Sequence, residues 1–140
     1  MAWQEPKIDW AARYDTDGNY IGDYFNVNDY QRIKGNLEYL AGLAEMLCVA
    51  PEALNIPAVT TASFGLASSI NALETSFDKL LACVFDPGIA ARKTWVGNAA
   101  GPAAADLNRI EHSCQQLYDV LTQQAAARRV LSFTLGLEVF

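Results

Sequence analysis

The aspartates and the asparagine of the segment YDTDGNY have the spacing of calcium ligands. Counted from Asp15 as position one of an EF-hand loop, Asp17 and Asn19 occupy positions three and five. The later positions do not fit, because the loop requires glycine at position six and glutamate at position twelve. Tyr20 and Asn26 stand there instead. The segment therefore does not predict a metal site.

The same segment carries the signal of a tight turn. The Asp17-Gly18 pair is strongly favoured in two-residue β-hairpin loops, and strand-favouring tyrosines flank it on both sides. The residues that follow predict the start of a helix, with Asn26 or Asn28 as the N-cap and Asp29 in the first turn. A short hairpin that leads into a capped helix explains more of this stretch than a cation does.

Other candidates for chemistry are incomplete. His112 is the only histidine and stands beside Glu111, but Cys114 is two positions away and therefore on another face of a helix. The glycine-rich stretch at 97–101 precedes a helix as a phosphate loop would, yet it lacks the lysine and the serine or threonine of that motif. We therefore expect no catalytic residue, no cofactor and no bound metal, and we do not expect an enzyme.

Composition and charge narrow the possible partners. The chain has 140 residues, a formal net charge of −6 and half of its residues apolar, as expected for one folded domain. An acidic chain with scattered basic residues argues against binding to nucleic-acid phosphates. The first ten residues lack the apolar core of a signal peptide, and no window is long and apolar enough to insert into a membrane. The odd number of cysteines, without zinc-type spacing, predicts reduced buried thiols and synthesis in a reducing cytoplasm.

The apolar periodicity predicts three amphipathic helices, over residues 27–49, 66–85 and 103–127. Each has apolar residues at steps of three and four, so that the three stripes can cover one another. The expected fold is mainly α, a three-helix bundle core with a short N-terminal β-hairpin and a C-terminal β-strand. We expect one domain over 1–140, divided into an aromatic extended or hairpin segment (1–26), the helical core (27–127) and the strand (130–140).

The predicted C-terminal strand rests on strict alternation in the segment RVLSFTLGLEVF. Apolar side chains fall on one side of an extended chain, and small or polar ones fall on the other. Such a strand needs a partner, either the N-terminal hairpin of its own chain or a strand edge of a neighbouring subunit. The candidate interface residues of this segment are Leu131, Phe133, Leu135, Leu137 and Val139.

A degenerate internal repeat links the two ends of the helical core. A basic residue, two spacers and a tryptophan precede the motif Asp-x-x-Arg-Ile twice in the chain. The copies are Lys7 to Trp10 with Asp29 to Ile33, and Arg92 to Trp95 with Asp106 to Ile110. The repeat predicts that the two tryptophans pack in equivalent places, at the starts of the first and third helices.

Aromatic residues are dense near the N-terminus. They either cover the helix ends or form part of an interface, where aromatic side chains are enriched. The candidate interface residues of this segment are Trp3, Trp10, Tyr14, Tyr20 and Tyr24.

Two of these stretches resemble a known group of proteins. The sequences KIDW and YFNVNDYQRIKGNLEYL, and later GPAAADLNRIE, resemble segments of small structural proteins from the tail modules of phages and prophages of Gram-positive bacteria. The resemblance covers roughly a third of the chain. It implies a non-catalytic tail or baseplate component in the virion, a homo-oligomer that docks to other tail proteins. The alternative is a host-cell helical adaptor that binds through its aromatic N-terminal surface.

Overall fold

The computed structural model describes residues 2–47, 51–60, 67–84, 87–97 and 102–139, with side chains as far as residue 127. The described chain is mainly helical, with α1 at Val27–Met46, α2 at Ala67–Leu81 and α3 at Ala104–Val139. The predicted helical bundle is thus confirmed. The predicted ends of the first two helices, at 48–49, 66 and 85, lie outside the described residues.

The core forms where the apolar stripes of the three helices meet. Each helix contributes four or five buried side chains at helical spacing, and burial of each aliphatic or aromatic side chain stabilises the fold by roughly 1.5–3 kcal/mol. The residues are Tyr30, Ile33, Leu37, Leu40 and Ala44 of α1, Ile70, Leu73, Phe77 and Leu80 of α2, and Ile110, Cys114, Leu117 and Leu121 of α3. Burial also raises the pKa of the Cys114 thiol, which stays protonated in this apolar setting.

The start of α1 is fixed by the predicted cap. The Asn26 side chain accepts a hydrogen bond from the Asp29 amide at 3.1 Å, and the Asp29 carboxylate accepts one from the Asn26 amide at 3.1 Å. This reciprocal capping box satisfies two amides that the first turn would otherwise leave unpaired. Asn26, rather than Asn28, is the cap.

The three helices run in the same direction. Arg32 of α1 pairs with Glu111 of α3, and seven residues further along both helices the Tyr39 and Tyr118 rings lie 6.1 Å apart. Arg109 of α3 pairs with Glu74 of α2, and further along the same direction Cys83, just after α2, and Gln124 of α3 line one groove. Parallel helices require the chain to return along the bundle between them.

Three irregular segments, 3–10, 51–60 and 87–97, make these returns against the helix direction. In the first segment, Trp3 lies beside Tyr118, while Trp10 lies beside Asn108, nearer the start of α3. Each segment precedes one helix, so the fold consists of three successive units of return segment and helix.

The second segment contacts the ends of α2 and α1 in turn. Lys79 of α2 donates hydrogen bonds to the backbone oxygens of Ala53 and Leu54, and Tyr30 of α1 donates to that of Pro57. In the third segment, Arg92 pairs with Asp78, and Trp95 meets Asn71 nearer the start of α2.

The predicted β-hairpin is reduced to a turn with one isolated antiparallel bridge between Tyr14 and Tyr20. The Asp15 carboxylate accepts hydrogen bonds from the Asp17 and Asn19 amides, at 2.9 and 2.8 Å, and so organises the turn from within. Gly22 is required where the chain closes, because a Cβ at this position would lie 2.5 Å from the Ala11 oxygen. The carboxylate at the centre of this turn is thus occupied by the chain's own amides.

The predicted strand over 130–140 is wrong for the described residues, because the backbone of α3 is helical as far as Val139. A strand needs a ladder partner, and the described residues contain no strand to supply one. A helix satisfies its amides internally and extends at small cost once it has formed. The alanine-rich stretch before Arg128 therefore continues as helix through the alternating residues, whose side-chain positions lie outside the description.

Candidate functional site: two tryptophan–glutamate–arginine clusters

The Glu111 cluster joins the first segment to α1 and α3. The Glu111 carboxylate accepts four hydrogen bonds: from the Trp10 indole at 2.5 Å, from Nε and Nη2 of Arg32 at 2.8 Å each, and from the Lys7 amide at 3.0 Å. The remaining Arg32 nitrogen, Nη1, donates to Asp29 at 2.8 Å. We name this cluster by its five residues, Lys7, Trp10, Asp29, Arg32 and Glu111.

The charges of the Glu111 cluster are compensated within it. Burial disfavours the charged Arg32 guanidinium, but its hydrogen bonds to Glu111 and Asp29 outweigh this effect and raise the pKa of Arg32. Glu111 is only 1% exposed, and four donors surround its two oxygens. This arrangement ties the first segment, α1 and α3 together through one buried carboxylate.

The Glu74 cluster repeats this chemistry between the third segment, α2 and α3. Glu74 also accepts four hydrogen bonds: from the Trp95 indole at 2.9 Å, from Nη1 and Nη2 of Arg109 at 2.8 and 2.6 Å, and from the Lys93 amide at 3.1 Å. Asp106 does not bond to Arg109 and instead pairs with the Lys93 ammonium at 2.6 Å. The Glu74 cluster therefore consists of Glu74, Lys93, Trp95, Asp106 and Arg109.

An asparagine on each helix binds the backbone of a return segment. Asn108 of α3 accepts from the Trp10 amide at 2.8 Å and donates to the Trp10 oxygen at 2.9 Å. Asn71 of α2 makes the same pair of bonds with Trp95, at 2.6 and 2.8 Å. Asn36 of α1 does so with Gln4, at 2.9 and 2.8 Å.

These bonds give the irregular segments the backbone pairing that a neighbouring strand would supply. A carboxamide offers one donor and one acceptor, which match the N–H and C=O of a single residue. The first and third return segments are therefore held to the bundle by asparagine side chains rather than by a sheet, and the second is held by Tyr30 and Lys79.

The prediction that the two tryptophans are equivalent is confirmed for their contacts, because each indole donates to a buried glutamate. The predicted positions of the two rings, at the starts of the first and third helices, are wrong. Trp10 lies against α3 and Trp95 lies against α2, each over the helix that supplies its asparagine and glutamate. The arginine of the repeat comes from the next helix, Arg32 of α1 in one case and Arg109 of α3 in the other. The tryptophans thus mark helix–helix junctions and not the first turns of α1 and α3.

Sequence reasoning found the arginine half of each cluster and missed the other half. The missed signal is the motif Asn-x-x-Glu, which occurs at Asn71–Glu74 and at Asn108–Glu111. Residues three apart lie on the same face of a helix, so this spacing directs an amide and a carboxylate to one return segment. Of the three described helices, only α3 carries both the Asp-x-x-Arg and the Asn-x-x-Glu motifs, so α3 takes part in both clusters.

The predicted aromatic interface residues separate into two groups. Trp3 and Trp10 are used inside the molecule: Trp3 stacks on Tyr118 at 4.2 Å, and Trp10 is only 5% exposed. Tyr14, Tyr20 and Tyr24 form an edge-to-face row, with ring centroids 5.4 and 5.0 Å apart.

The tyrosine row is largely open to solvent. Tyr14 is 66% exposed and Tyr24 is 68% exposed, while Tyr20 between them is half-buried. The side chains of the tail candidates Leu131, Phe133, Leu135, Leu137 and Val139 lie outside the description.

The histidine and cysteine considered as candidates for chemistry do not meet within the described part of the chain. His112 is exposed and Cys114 is buried, on different faces of α3. Among the residues described, no group of three His, Cys, Asp or Glu side chains could hold a metal ion. Nor does any helix within this part have the length and apolar character needed to cross a membrane.

Comparison with protein-family models, with curated proteins and with solved structures finds no match to this chain. The two clusters and the tyrosine row, together with the motif resemblance given above, are therefore the grounds for a function.

Proposed function

We propose that this protein is a structural, non-catalytic component of a phage or phage-derived tail or baseplate. It acts by self-assembly and by docking to other virion proteins, and its place is the virion tail. The motif resemblance supports the tail assignment. The buried polar groups support a structural role, because both buried glutamates are saturated by bonds that hold the fold.

The observation that carries the docking role is the concentration of exposed apolar side chains near the N-terminus. Among the described residues, the large hydrophobic side chains that are exposed are Ile8, Tyr14, Ile21, Tyr24, Met46 and Val96. Four of these six lie between residues 8 and 24. Aromatic residues held rigid by neighbouring rings are good interface anchors, since they lose little conformational entropy on binding.

The length of α3 supports self-assembly. Met46, the last residue of α1, lies level with about residue 125 of α3, as judged from the Arg32–Glu111 and Tyr39–Tyr118 pairs. The remainder of α3 extends roughly 20 Å beyond that level. Its sequence is rich in apolar residues, and a helix of this composition is stable in water when another copy covers it.

The alternative is a host-cell adaptor that binds through the same tyrosine row. Both functions predict docking, so self-assembly and location distinguish them. A tail component forms a defined oligomer and is found in particles, whereas an adaptor binds a cellular protein as a single copy.

Solution mass and particle imaging test the proposal. The full chain should have a mass that is a multiple of 15.3 kDa by light scattering, and a chain that ends at Arg129 should be monomeric with the other helices retained. A monomeric full chain would contradict self-assembly. Antibody to the chain should label the tails of particles in electron micrographs, and particles without label would favour the adaptor.

The docking role has its own variants. Replacing Tyr14 and Tyr24 together by serine should leave the fold intact, because both rings are exposed, and should abolish incorporation into particles. Val96→Ser is the matched control, since it removes an equally exposed apolar side chain elsewhere. Normal incorporation of the double tyrosine variant would show that another surface docks.

A further inference from the structure

A second surface, distinct from the tyrosine row, lies along the outer face of α1. A groove of about 600 Å³ separates the second half of this helix from the second return segment. Another groove, of about 500 Å³, lies on the opposite side of the same helix face. Glu38 and Gly42 line both grooves, so the two meet at Gly42.

Gly42 is not required by the fold. It lies inside α1, where glycine is the least favourable residue apart from proline. A Cβ at this position would meet no atom within 4 Å, and the φ angle is ordinary for a helix. The absence of a side chain therefore opens the helix backbone to something outside the chain, as glycine does where another backbone approaches closely.

The residues around Gly42 indicate the chemistry of what approaches. Glu45 and Glu52 line the larger groove, and neither forms a salt bridge within the described residues. Glu38 also lines both grooves, and its carboxylate pairs with Lys34 at 2.6 Å. Met46, which is 78% exposed, supplies an apolar contact at the end of the smaller groove.

The opposite wall of the larger groove is held in place. Lys79 donates hydrogen bonds to the Ala53 and Leu54 oxygens, at 2.7 and 3.3 Å, and so fastens the wall to α2. Asn55 adopts a positive φ of 54°, a conformation that asparagine tolerates better than most residues. The groove is thus bounded on both sides by fixed backbone.

We propose that this surface, named here the Gly42 groove, docks a helix of another protein that carries lysine or arginine residues. Glu38 and Glu45 are seven residues apart, which is two helical turns or about 10 Å along the axis. A partner helix with basic residues seven apart and a small residue between them matches this spacing, with its backbone close to Gly42. A second copy of this chain fits less well, because it would bring the same three glutamates to the contact.

The surface shares no residue with the tyrosine row or with the end of α3. The docking role of the Gly42 groove therefore goes beyond the proposed function and is tested independently of it. Loss of particle incorporation in the tyrosine variants would leave it untouched, and failure of the Gly42 groove would leave the tail proposal untouched.

A synthetic helical peptide of roughly 15 residues, with lysines seven apart and alanines between them, is the probe. Labelled with fluorescein, it should bind the full-length protein saturably in an anisotropy titration, and the same peptide with glutamine for lysine should not. The amides of Gly42, Leu54 and Asn55 should shift in heteronuclear NMR spectra when the lysine peptide is added.

Two variants test whether peptide binding depends on the groove itself or only on the overall negative charge of the protein. Gly42→Leu fills the meeting point of the grooves and should weaken binding at least about tenfold, as should the double variant Glu45→Gln with Glu52→Gln. The matched controls are Gly97→Leu, at another glycine with open space around it, and Glu5→Gln, at a distant exposed acid. Neither control should change the affinity.

Three outcomes would overturn the proposal. The lysine peptide does not bind, or it binds all variants with equal affinity, or the protein forms a dimer that Gly42→Leu abolishes. The last result would assign the groove to a second copy of the chain. Circular dichroism of Gly42→Leu should match that of the parent, since the added side chain meets open space, so weakened binding reports on the groove and not on unfolding.

Discussion

The Glu111 and Glu74 clusters contain the same residue types but differ in how completely they are satisfied. Arg32 uses Nε, Nη1 and Nη2, on Glu111 and Asp29. Arg109 approaches Glu74 end-on with Nη1 and Nη2, and its Nε is buried without a hydrogen-bond partner. Trp10 is buried beneath Phe25, whose ring lies 5.9 Å away, whereas Trp95 is only half-buried.

The difference follows from the aspartate of each repeat. Asp29 is held by the Asn26 capping box, so that its second oxygen is free to receive Arg32. Asp106 pairs instead with Lys93. In the first copy, no lysine of the described residues pairs with Asp29. Arg109 therefore has one carboxylate partner where Arg32 has two. A short repeated motif fixes which groups meet, and the residues around it fix how well they are paired.

Removal of the central charge should have the largest effect. Glu111→Gln leaves a buried guanidinium without its carboxylate and should lower the free energy of unfolding by about 3–5 kcal/mol. Glu74→Gln should cost about 1 kcal/mol more, because Glu74 is fully buried and Arg109 would keep no carboxylate partner, whereas Arg32 keeps Asp29. Urea unfolding measures both, with Glu5→Gln as an exposed control. Equal losses for the two variants would remove the distinction between the clusters.

The tryptophans should differ in the opposite order. Trp10→Ala removes a fully buried ring and should cost about 3–5 kcal/mol. Trp95→Ala removes a ring that keeps part of its surface in water and should cost about 2 kcal/mol. Thermal or urea unfolding gives both values. A larger loss for Trp95→Ala would mean that the third return segment, and not the first, is the more important brace.

The asparagine bridges should have intermediate effects. Asn108→Ala or Asn71→Ala leaves an N–H and a C=O of one return-segment residue unpaired and should cost about 1–3 kcal/mol. The amide of Trp10 should then exchange faster with solvent in Asn108→Ala, and that of Trp95 in Asn71→Ala. Hydrogen exchange followed by NMR tests this directly. Unchanged exchange at the bridged amide would show that the bond contributes nothing to holding the segment.

The smallest effect should come from Asp106. Burial tends to raise the pKa of this carboxyl group, but its hydrogen bonds to Lys93 and to the Ala103 amide outweigh burial and lower the pKa below its ordinary value of 3.8. At pH values above 3.8, the ionised Asp106 therefore stabilises the fold. This contribution is lost as the pH falls through the lowered pKa.

Asp106→Asn should reduce the free energy of unfolding by less than about 1 kcal/mol at neutral pH, because Lys93 is largely exposed. The difference in the free energy of unfolding between parent and variant should disappear below about pH 4. Urea unfolding at several pH values tests both statements, with Asp17→Asn as an exposed control. A gap that widens on acidification would contradict the assigned direction of the shift.

Several features of the fold could be predicted from the sequence because they depend on neighbours along the chain. The apolar stripes predicted three helices, and the Asn26–Asp29 signal predicted the cap of α1, since helical spacing and capping act over three or four residues. The repeat predicted that Trp10 and Trp95 are equivalent. The alternation of apolar residues at 131–139 led to the wrong prediction of a strand. A strand depends on a distant partner, whereas the helix that leads into this segment needs none.

The candidate site was only half visible for the same reason. The Asp-x-x-Arg spacing was recognised, but nothing local indicates that Arg32 reaches Glu111 of another helix or that Asn108 binds the backbone of Trp10. These contacts join residues 79 and 98 positions apart. They exist because the helices are parallel, and that direction follows from the return of the chain along the bundle.

The sequence by itself determined the helical class, the start of the first helix, the turn at Asp17-Gly18 and the pairing of two similar units, all of which depend on short-range hydrogen bonding and periodicity. Only the tertiary structure decided which helix each tryptophan braces, which glutamate neutralises each arginine, and which tyrosines stay in water. A buried charge needs an opposite charge wherever the chain can supply one. The packing of three parallel helices, rather than the order of residues, sets where that is.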